Sequence, residues 1–439
     1  MRDLFVATIV FGLLPFILRR PFLGILLSTW LGYMNPHLLC YGFMPTMPVV
    51  FIVAIVTMIG MLVSKETERI MWSREISILL IFLAWMGVTT TQAFFFDLAV
   101  EQYTKVIKIQ LLTFMALLLL TTRERIHLFI WIIALSLGFY GVKGGIFTIM
   151  HGGVERVQGP GGFIGGNNEI ALAMAMTIPL MRYLHLQEPR KLVKLGLVAA
   201  MLLTAIATIG SQSRGALVAI SLMGVMFWLK SRNKFSSALL IILVVVAIGS
   251  IMPQEWYDRM NTIETYEQDQ SAMGRINAWW TAWNVARDRV TGGGFEMFRY
   301  PVFRLYAPDP ENVHDSHSIY FQVLGHHGFI GLFFFLALLL TTWFKCSSVI
   351  RLAKKNPELK WARDLAGMIQ VSMIAYMSAG AFLGLAYFDY IYHLVAVAVV
   401  VHHLLTAARP ANVDPLLSRL KEQGSSTRLL LPGQRHDFV

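Results

Sequence analysis

Thirteen apolar stretches run through the 439-residue chain, and their length decides what it can fold into. A helix that crosses the hydrocarbon core of a bilayer needs about 20 predominantly apolar residues. A helix also satisfies its backbone hydrogen bonds within the segment, as the water-free core requires. The pattern predicts an all-α, polytopic integral membrane protein. The stretches lie at 4–18, 21–34, 47–63, 76–94, 104–120, 126–142, 169–184, 192–209, 215–229, 236–252, 318–344, 366–387 and 390–407.

Composition excludes the other broad classes. Charged residues make up 14% of the chain and hydrophobic residues 56%, whereas soluble domains carry about 25% charged residues. A soluble enzyme or a disordered chain would need more polar surface. A disulfide scaffold would need more than two cysteines.

Connectors rich in lysine and arginine alternate with connectors that are poor in them or mixed in charge. Those after the odd-numbered stretches are short and basic, and this bias marks cytoplasmic loops. The connectors at 35–46, 95–103, 143–168, 210–214, 253–317 and 388–389 are then expected to face outward. Thirteen crossings would put the N-terminus outside as well. We expect about 12 transmembrane helices, with the first two stretches not both spanning.

The net charge of +11 follows from the same loops. Basic loops meet anionic membrane lipids, and no basic stretch lies in a soluble domain large enough to bind nucleic acid. The predicted division is a transmembrane bundle over 1–252, an outward catalytic loop over 253–317, transmembrane helices over 318–407, and a cytoplasmic polar tail over 408–439.

The long loop 253–317 contains a tryptophan-rich segment. Ala278 to Arg289 is predicted to be a helix that lies at the membrane surface, where indole rings concentrate. Three consecutive glycines, Gly292 to Gly294, would end it. A pore has no need of such a segment, whereas an enzyme that acts on a lipid at the interface does.

Three cationic residues on the outward side are predicted to stand at helix starts: Arg214, Arg275 and His317. Ser213 is a candidate N-cap for the helix that carries Arg214. Helix N-termini present free N–H groups, and an arginine adds a bidentate fork that suits phosphate oxygens. The alternative is that each arginine only caps a helix or extends to lipid head groups.

His317 is the candidate general base. Histidine near its ordinary pKa can take a proton from an attacking hydroxyl. Asp315 is placed to orient the ring, and His314 competes for the role. A structural or solvated histidine is the alternative.

The outward loop 143–168 is rich in glycine, which permits close backbone approach to a ligand. Lys143, Arg156 and Asn168 are its candidate substrate contacts, with a flexible connector as the alternative. The loop lacks the spacing of a nucleotide-binding P-loop. The chain shows no Cys/His cluster with metal-ligand spacing. We expect a mechanism without metal or cofactor.

Several of these segments resemble the O-antigen ligase and polymerase superfamily. His317 is followed after ten residues by Gly328, Gly331 and Leu332, which is similar to its His-x10-Gly-x-x-Gly-Leu signature. Ser213-Arg214-Gly215 resembles its Ser-Arg-Gly motif, and Gly274-Arg275 with the triple glycine resembles its outer loop. The N-terminal segments 19–22 and 34–37 look like a subgroup of O-glycosylation ligases found with exosortase systems. Ser318 departs from the Asn of many relatives, which affects the expected acceptor contacts.

The resemblance implies a C-type glycosyltransferase-like fold in the bacterial inner membrane, with its active site at the periplasmic face. The implied reaction moves a glycan from undecaprenyl pyrophosphate to a hydroxyl of the lipid A core and inverts the anomeric centre. His317 would be the base, and Arg214 and Arg275 would neutralise the pyrophosphate. A polymerase or a protein O-glycosylation ligase would use the same donor. A lipid or sugar transporter is a third possibility, although the spans lack the acidic residues of a coupling-ion path. The sequence does not indicate the oligomeric state.

Overall fold

The structure is a computed structural model that describes residues 1–407, apart from 65, 67–70, 232, 251, 255 and 258–269. These residues form helices and no strand. The helices are α1 Arg2–Arg19, α2 Phe22–Met34, α3 Val49–Ser64, α4 Arg74–Thr91, α5 Phe96–Leu119, α6 Arg123–Met150, α7 Asn167–Gln187, α8 Lys191–Gly210, α9 Arg214–Lys230, α10 Lys234–Gly249, α11 Gln270–Asp288, α12 Tyr300–Tyr306, α13 Ile319–Ala353, α14 Lys360–Ala379 and α15 Asp389–Ala407. The predicted tail, 408–439, lies outside the described residues.

Each predicted apolar stretch overlaps one of α1–α10 or α13–α15. Six segments of the described chain are long and apolar enough to cross a membrane, and α2, α3 and part of α10 are shorter apolar helices. The described part of the chain is therefore all-helical, and its apolar segments indicate a multi-pass membrane protein. The six segments are Arg74–Thr91, Arg123–Met150, Lys191–Gly210, Ile319–Ala353, Pro357–Phe382 and Asp389–Ala407.

Contacts near the ends of the helices distinguish two ends of the bundle. At one, the Arg125 guanidinium lies 3.3 Å from the Glu66 carboxylate and 5.0 Å from the centre of the Phe22 ring. Lys345, far along α13, forms a 2.6 Å ion pair with Glu75 at the start of α4. We call this the basic end, defined by residues 20–22, 66, 71–75, 120–123, 188–190 and 354–359.

The opposite end carries the connectors 35–48, 92–95, 151–166, 211–213, 289–318 and 380–388, and we call it the loop end. Its members also contact one another: the Phe94 N–H donates to the Gly293 carbonyl at 2.9 Å. The Asp3 carboxylate accepts from the Gly42 and Met44 N–H groups. The N-terminus therefore lies at the loop end, and α1 and α2 form an antiparallel pair.

A break at Gly328 divides α13. Its φ of 66° and ψ of −170° are non-helical, and a break of this kind takes carbonyls out of the helical ladder. The Gly293 and Gly294 N–H groups donate to the carbonyls of Gly325 and His326, at 2.8 and 2.9 Å. The Trp85 indole donates to the His327 carbonyl at 2.9 Å. The glycine loop that follows α11 is thus joined to α13 at its kink.

Candidate active site

The segment before α13 holds His317 in a constrained conformation. Its φ is 41°, in the left-handed region that costs a residue with a Cβ on the order of 1–3 kcal/mol. The neighbouring residues Ser316 and Ser318 are buried. The Trp279 indole donates to the Ser316 carbonyl at 2.7 Å, and its ring stacks on Phe321 at 5.0 Å. Helix α11 therefore fixes both the segment and the first turn of α13.

Four charged or titratable groups act on the His317 ring. Burial lowers its pKa, and the positive charges of Arg275 and His314 lower it further, whereas Asp315 and Glu169 act in the opposite direction. The ring is only half-buried, so it can still be reached from outside. A lowered pKa keeps the imidazole neutral at pH 7. His317 is thus in the protonation state that a general base requires.

Arg275 does not open its helix, contrary to the expectation from sequence. In the described chain α11 begins at Gln270, so Arg275 lies in its second turn. A helix-terminal dipole therefore does not reinforce this arginine, because that effect falls off within the first turn. Gly274 instead receives the His314 ring, whose Cγ lies 2.7 Å from where a Cβ would be. The absence of a side chain at Gly274 lets His314 pack against α11, next to the residue that precedes Arg275.

Arg214 is the first residue of α9, as predicted, and the N-cap at Ser213 is confirmed. The Ser213 hydroxyl accepts from the Ala216 N–H at 3.3 Å. The Asn167 amide, at the start of α7, donates to the Ser211 carbonyl at 2.9 Å. The first turn of α7 thus contacts the turn before Arg214. The first turn of α7 also carries Glu169, whose charge acts on His317.

Three of the other four predicted substrate contacts lie in or beside the loops of the loop end, and Lys143 does not. Asn168 is half-buried in the first turn of α7, and His314 lies against α11 at Gly274. Arg156 is in the glycine-rich loop, where its Nε donates to the Gln212 side chain at 3.1 Å. Lys143 is not in a loop: α6 continues to Met150, so the lysine is exposed on that helix roughly 10 Å from its end. Because α6 continues through it, the loop expected at 143–168 is shorter than predicted.

Sequence reasoning missed Glu169 and Gln212. The Gln212 amide, with φ of 57° at its backbone, donates to the Gly153 and Val154 carbonyls at 3.1 and 3.0 Å. This holds the glycine-rich loop beside Arg214. The available signal was position: Glu169 falls in the first turn of a helix, where acidic residues are stabilised, and Gln212 lies directly before Ser-Arg-Gly.

A second group of polar side chains is buried around the kink. Tyr387 lies between two histidines, its hydroxyl 2.9 Å from His327 Nε2 and 3.0 Å from His326 Nδ1. Thr89 of α4 contacts His327 Nδ1 at 2.7 Å. The network joins α4, α13 and the segment before α15. Within the described ranges, no three His, Cys, Asp or Glu side chains are arranged to hold a metal ion.

Two parts of the chain match known protein families. Residues 1–188 match a family described as one of unknown function (DUF5935), so the exosortase-associated subgroup is not confirmed. A comparison with curated proteins finds no match. Residues 199–336 match the O-antigen ligase family, and this range includes Arg214, Arg275 and His317. Over residues 199–336 the chain is therefore an O-antigen ligase family domain, and this membership indicates glycosyl transfer of the ligase or polymerase type.

Proposed function

We propose that the protein is an O-antigen ligase that transfers a glycan from undecaprenyl pyrophosphate to a hydroxyl of the lipid A core. The observation that carries the proposal is the environment of His317. A half-buried imidazole with a lowered pKa stands in the field of Arg275, within the O-antigen ligase family domain. This pairs a base for the acceptor with a cation for an anionic leaving group.

The proposed reaction is a direct displacement. His317 takes the proton of the acceptor hydroxyl while that oxygen attacks C1 of the donor sugar, and the bond from C1 to the pyrophosphate oxygen breaks. The anomeric centre is inverted. Arg214 and Arg275 bind the pyrophosphate, whose negative charge grows as the bond breaks, so they stabilise the transition state more than the bound substrate. Asn168, Arg156, Lys143 and His314 would contact the anionic or glycan portions. No metal takes part.

The proposed setting is the bacterial inner membrane, with the loop end at the periplasmic face. The basic end carries the short basic connectors, which favour the cytoplasm. About 12 helices would span the membrane in a C-type glycosyltransferase-like arrangement. The connector from 253 to 317, with α11 and α12, would form the catalytic loop over the donor.

A polymerase or a protein O-glycosylation ligase is the second candidate. It would use the same donor and the same base, because the roles proposed for His317, Arg214 and Arg275 concern the leaving group and the attacking hydroxyl. The acceptor would differ: a growing glycan chain or a serine or threonine of a protein. A transporter is less well supported, because the family match indicates group transfer.

One assay separates these candidates. The purified full-length protein, in detergent with EDTA, is incubated with undecaprenyl-pyrophosphate glycan and rough lipopolysaccharide, and the products are separated on a gel. The ligase predicts a ladder on lipid A core that His317→Gln abolishes. Glycan that lengthens on its carrier would identify a polymerase. An unchanged donor would count against the O-antigen ligase and the polymerase, and it would favour a protein acceptor or transport.

A further inference from the structure

The basic end contains a cavity of about 600 Å³ far from His317. It lies between the first turn of α4, the second half of α13 and the end of α15. Helix α4 runs from this cavity to Thr91, beside the loop end, where the Gln92 carbonyl accepts from Arg289. The cavity and the candidate active site are therefore at opposite ends of the bundle.

The lining of the cavity favours an anion. Glu75 is 3% exposed and is compensated by its ion pair with Lys345, which is 13% exposed. Arg74 is exposed beside this pair and remains as a permanent positive charge. Phosphate oxygens suit such a lining, because an arginine fork binds them in a bidentate manner.

An apolar groove of about 190 Å³ adjoins the cavity and shares Met71 and Trp72 with it. The side chains that line the groove are all apolar. Ile76 and Leu80 come from one face of α4, four residues apart, so the groove follows the helix axis. The remaining lining residues are Phe114, Leu117 and Leu118 from the end of α5.

Trp72 stands where the two spaces meet and is 69% exposed. Indole rings concentrate at the boundary between head groups and acyl chains. A polar, cationic cavity on one side of this ring and an apolar groove on the other match the two parts of a phospholipid. A soluble anion would leave the groove empty, and a neutral lipid would leave Arg74 without a counter-charge from the ligand.

We infer that the basic end binds one anionic phospholipid, with its phosphate in the cavity beside Arg74 and one acyl chain along Ile76 and Leu80. The site is independent of the proposed function, because it shares no residue with the candidate active site. The occupant comes from the leaflet at the basic end, where anionic lipid meets the basic connectors.

The test uses the full-length protein purified in a neutral detergent, with phosphatidylglycerol as the probe. Retained lipid is measured by mass spectrometry, and thermal unfolding gives the stabilisation. Arg74→Gln removes the charge, and Leu80→Trp fills the groove. Arg351→Gln and Leu195→Trp are matched controls, since both residues are exposed near the same end and outside both spaces.

The wild-type protein is expected to retain phosphatidylglycerol and to unfold at a higher temperature with it. Arg74→Gln should retain about fivefold less, the change expected for one cation at an anionic membrane surface. Leu80→Trp should lose it as well, and the two controls should match the wild type. Equal retention in Arg74→Gln and Arg351→Gln would overturn the inference. So would equal retention of phosphatidylcholine, or the same stabilisation by inorganic phosphate alone.

Discussion

The N–H group of Gly293 donates a hydrogen bond to the carbonyl oxygen of Gly325 at 2.8 Å. It joins the glycine loop that follows α11 to the kink of α13, the helix that begins directly after His317. This backbone contact therefore links α11, which carries Arg275, to the helix that follows the candidate base.

Gly292→Ala is expected to destabilise the protein strongly. Gly292 has a φ of 66°, and a Cβ there would come within 2.6 Å of the Gly325 carbonyl oxygen. Strain and displacement together should cost about 3 kcal/mol or more. Thermal unfolding in detergent measures the loss. Gly152→Ala is the matched control, since its φ is 58° and nothing lies within 4 Å, so its cost should stay at about 1 kcal/mol. Equal melting temperatures would disprove the contact.

His317→Gln is expected to reduce transfer by at least about 10²-fold, the usual contribution of a general base. Donor binding and melting temperature should be retained, because the ring is only half-buried. His314→Gln is the comparison, since His314 is the nearest rival in sequence. If His314→Gln caused the larger loss of turnover, the base would be assigned wrongly.

Removing the Arg275 charge and removing the Glu169 charge should shift the pH profile of kcat/KM in opposite directions. The Arg275 charge lowers the pKa of His317 and the Glu169 charge raises it. Arg275→Gln should raise this pKa and move the acid limb of the profile to higher pH. Glu169→Gln should lower the pKa and move the limb to lower pH. Shifts in the same direction, or none, would show that the limb does not report His317.

Arg214→Lys should retain the fold but lose transfer by a factor on the order of 10², because lysine lacks the bidentate fork that a pyrophosphate accepts. The measurement is turnover at saturating donor, with melting temperature as a check. Arg299→Lys is the control, since Arg299 forms an exposed ion pair with Glu296 at 2.9 Å and should tolerate lysine. Full activity in Arg214→Lys would place the pyrophosphate elsewhere.

Removal of divalent cations should leave the rate unchanged. His317, Arg214 and Arg275 are proposed to supply both the base and the charge that a metal ion would otherwise provide. The rate is compared in EDTA and after Mg²⁺ is added back. Loss of turnover in EDTA that Mg²⁺ restores would refute the metal-free mechanism.

Local features of the site were predictable from sequence. The Ser213 cap follows from the side-chain oxygen that serine offers to nearby N–H groups, and the apolar stretches follow from the thickness of the bilayer. Both depend on neighbours in the chain, which the sequence displays directly.

Long-range features were not predictable in the same way. The surface helix was expected to begin near Ala278, yet it begins at Gln270 in the described chain, and Arg275 consequently loses the terminal position assigned to it. The Glu169 charge acts on His317 from the start of α7, about 150 residues earlier in the chain. Such pairings arise from packing between distant segments, and hydropathy carries no information about which loops meet.

The bonds from Gly293 and Gly294 also bear on how the chain tolerates change in length. A run of three glycines outside a helix would ordinarily be a permissive place for an inserted residue. Here the two N–H groups donate to the Gly325 and His326 carbonyls, next to the break at Gly328. An insertion between Gly293 and Gly294 would misalign these two hydrogen bonds. The short loop should therefore tolerate an inserted residue as poorly as the interior of a helix does.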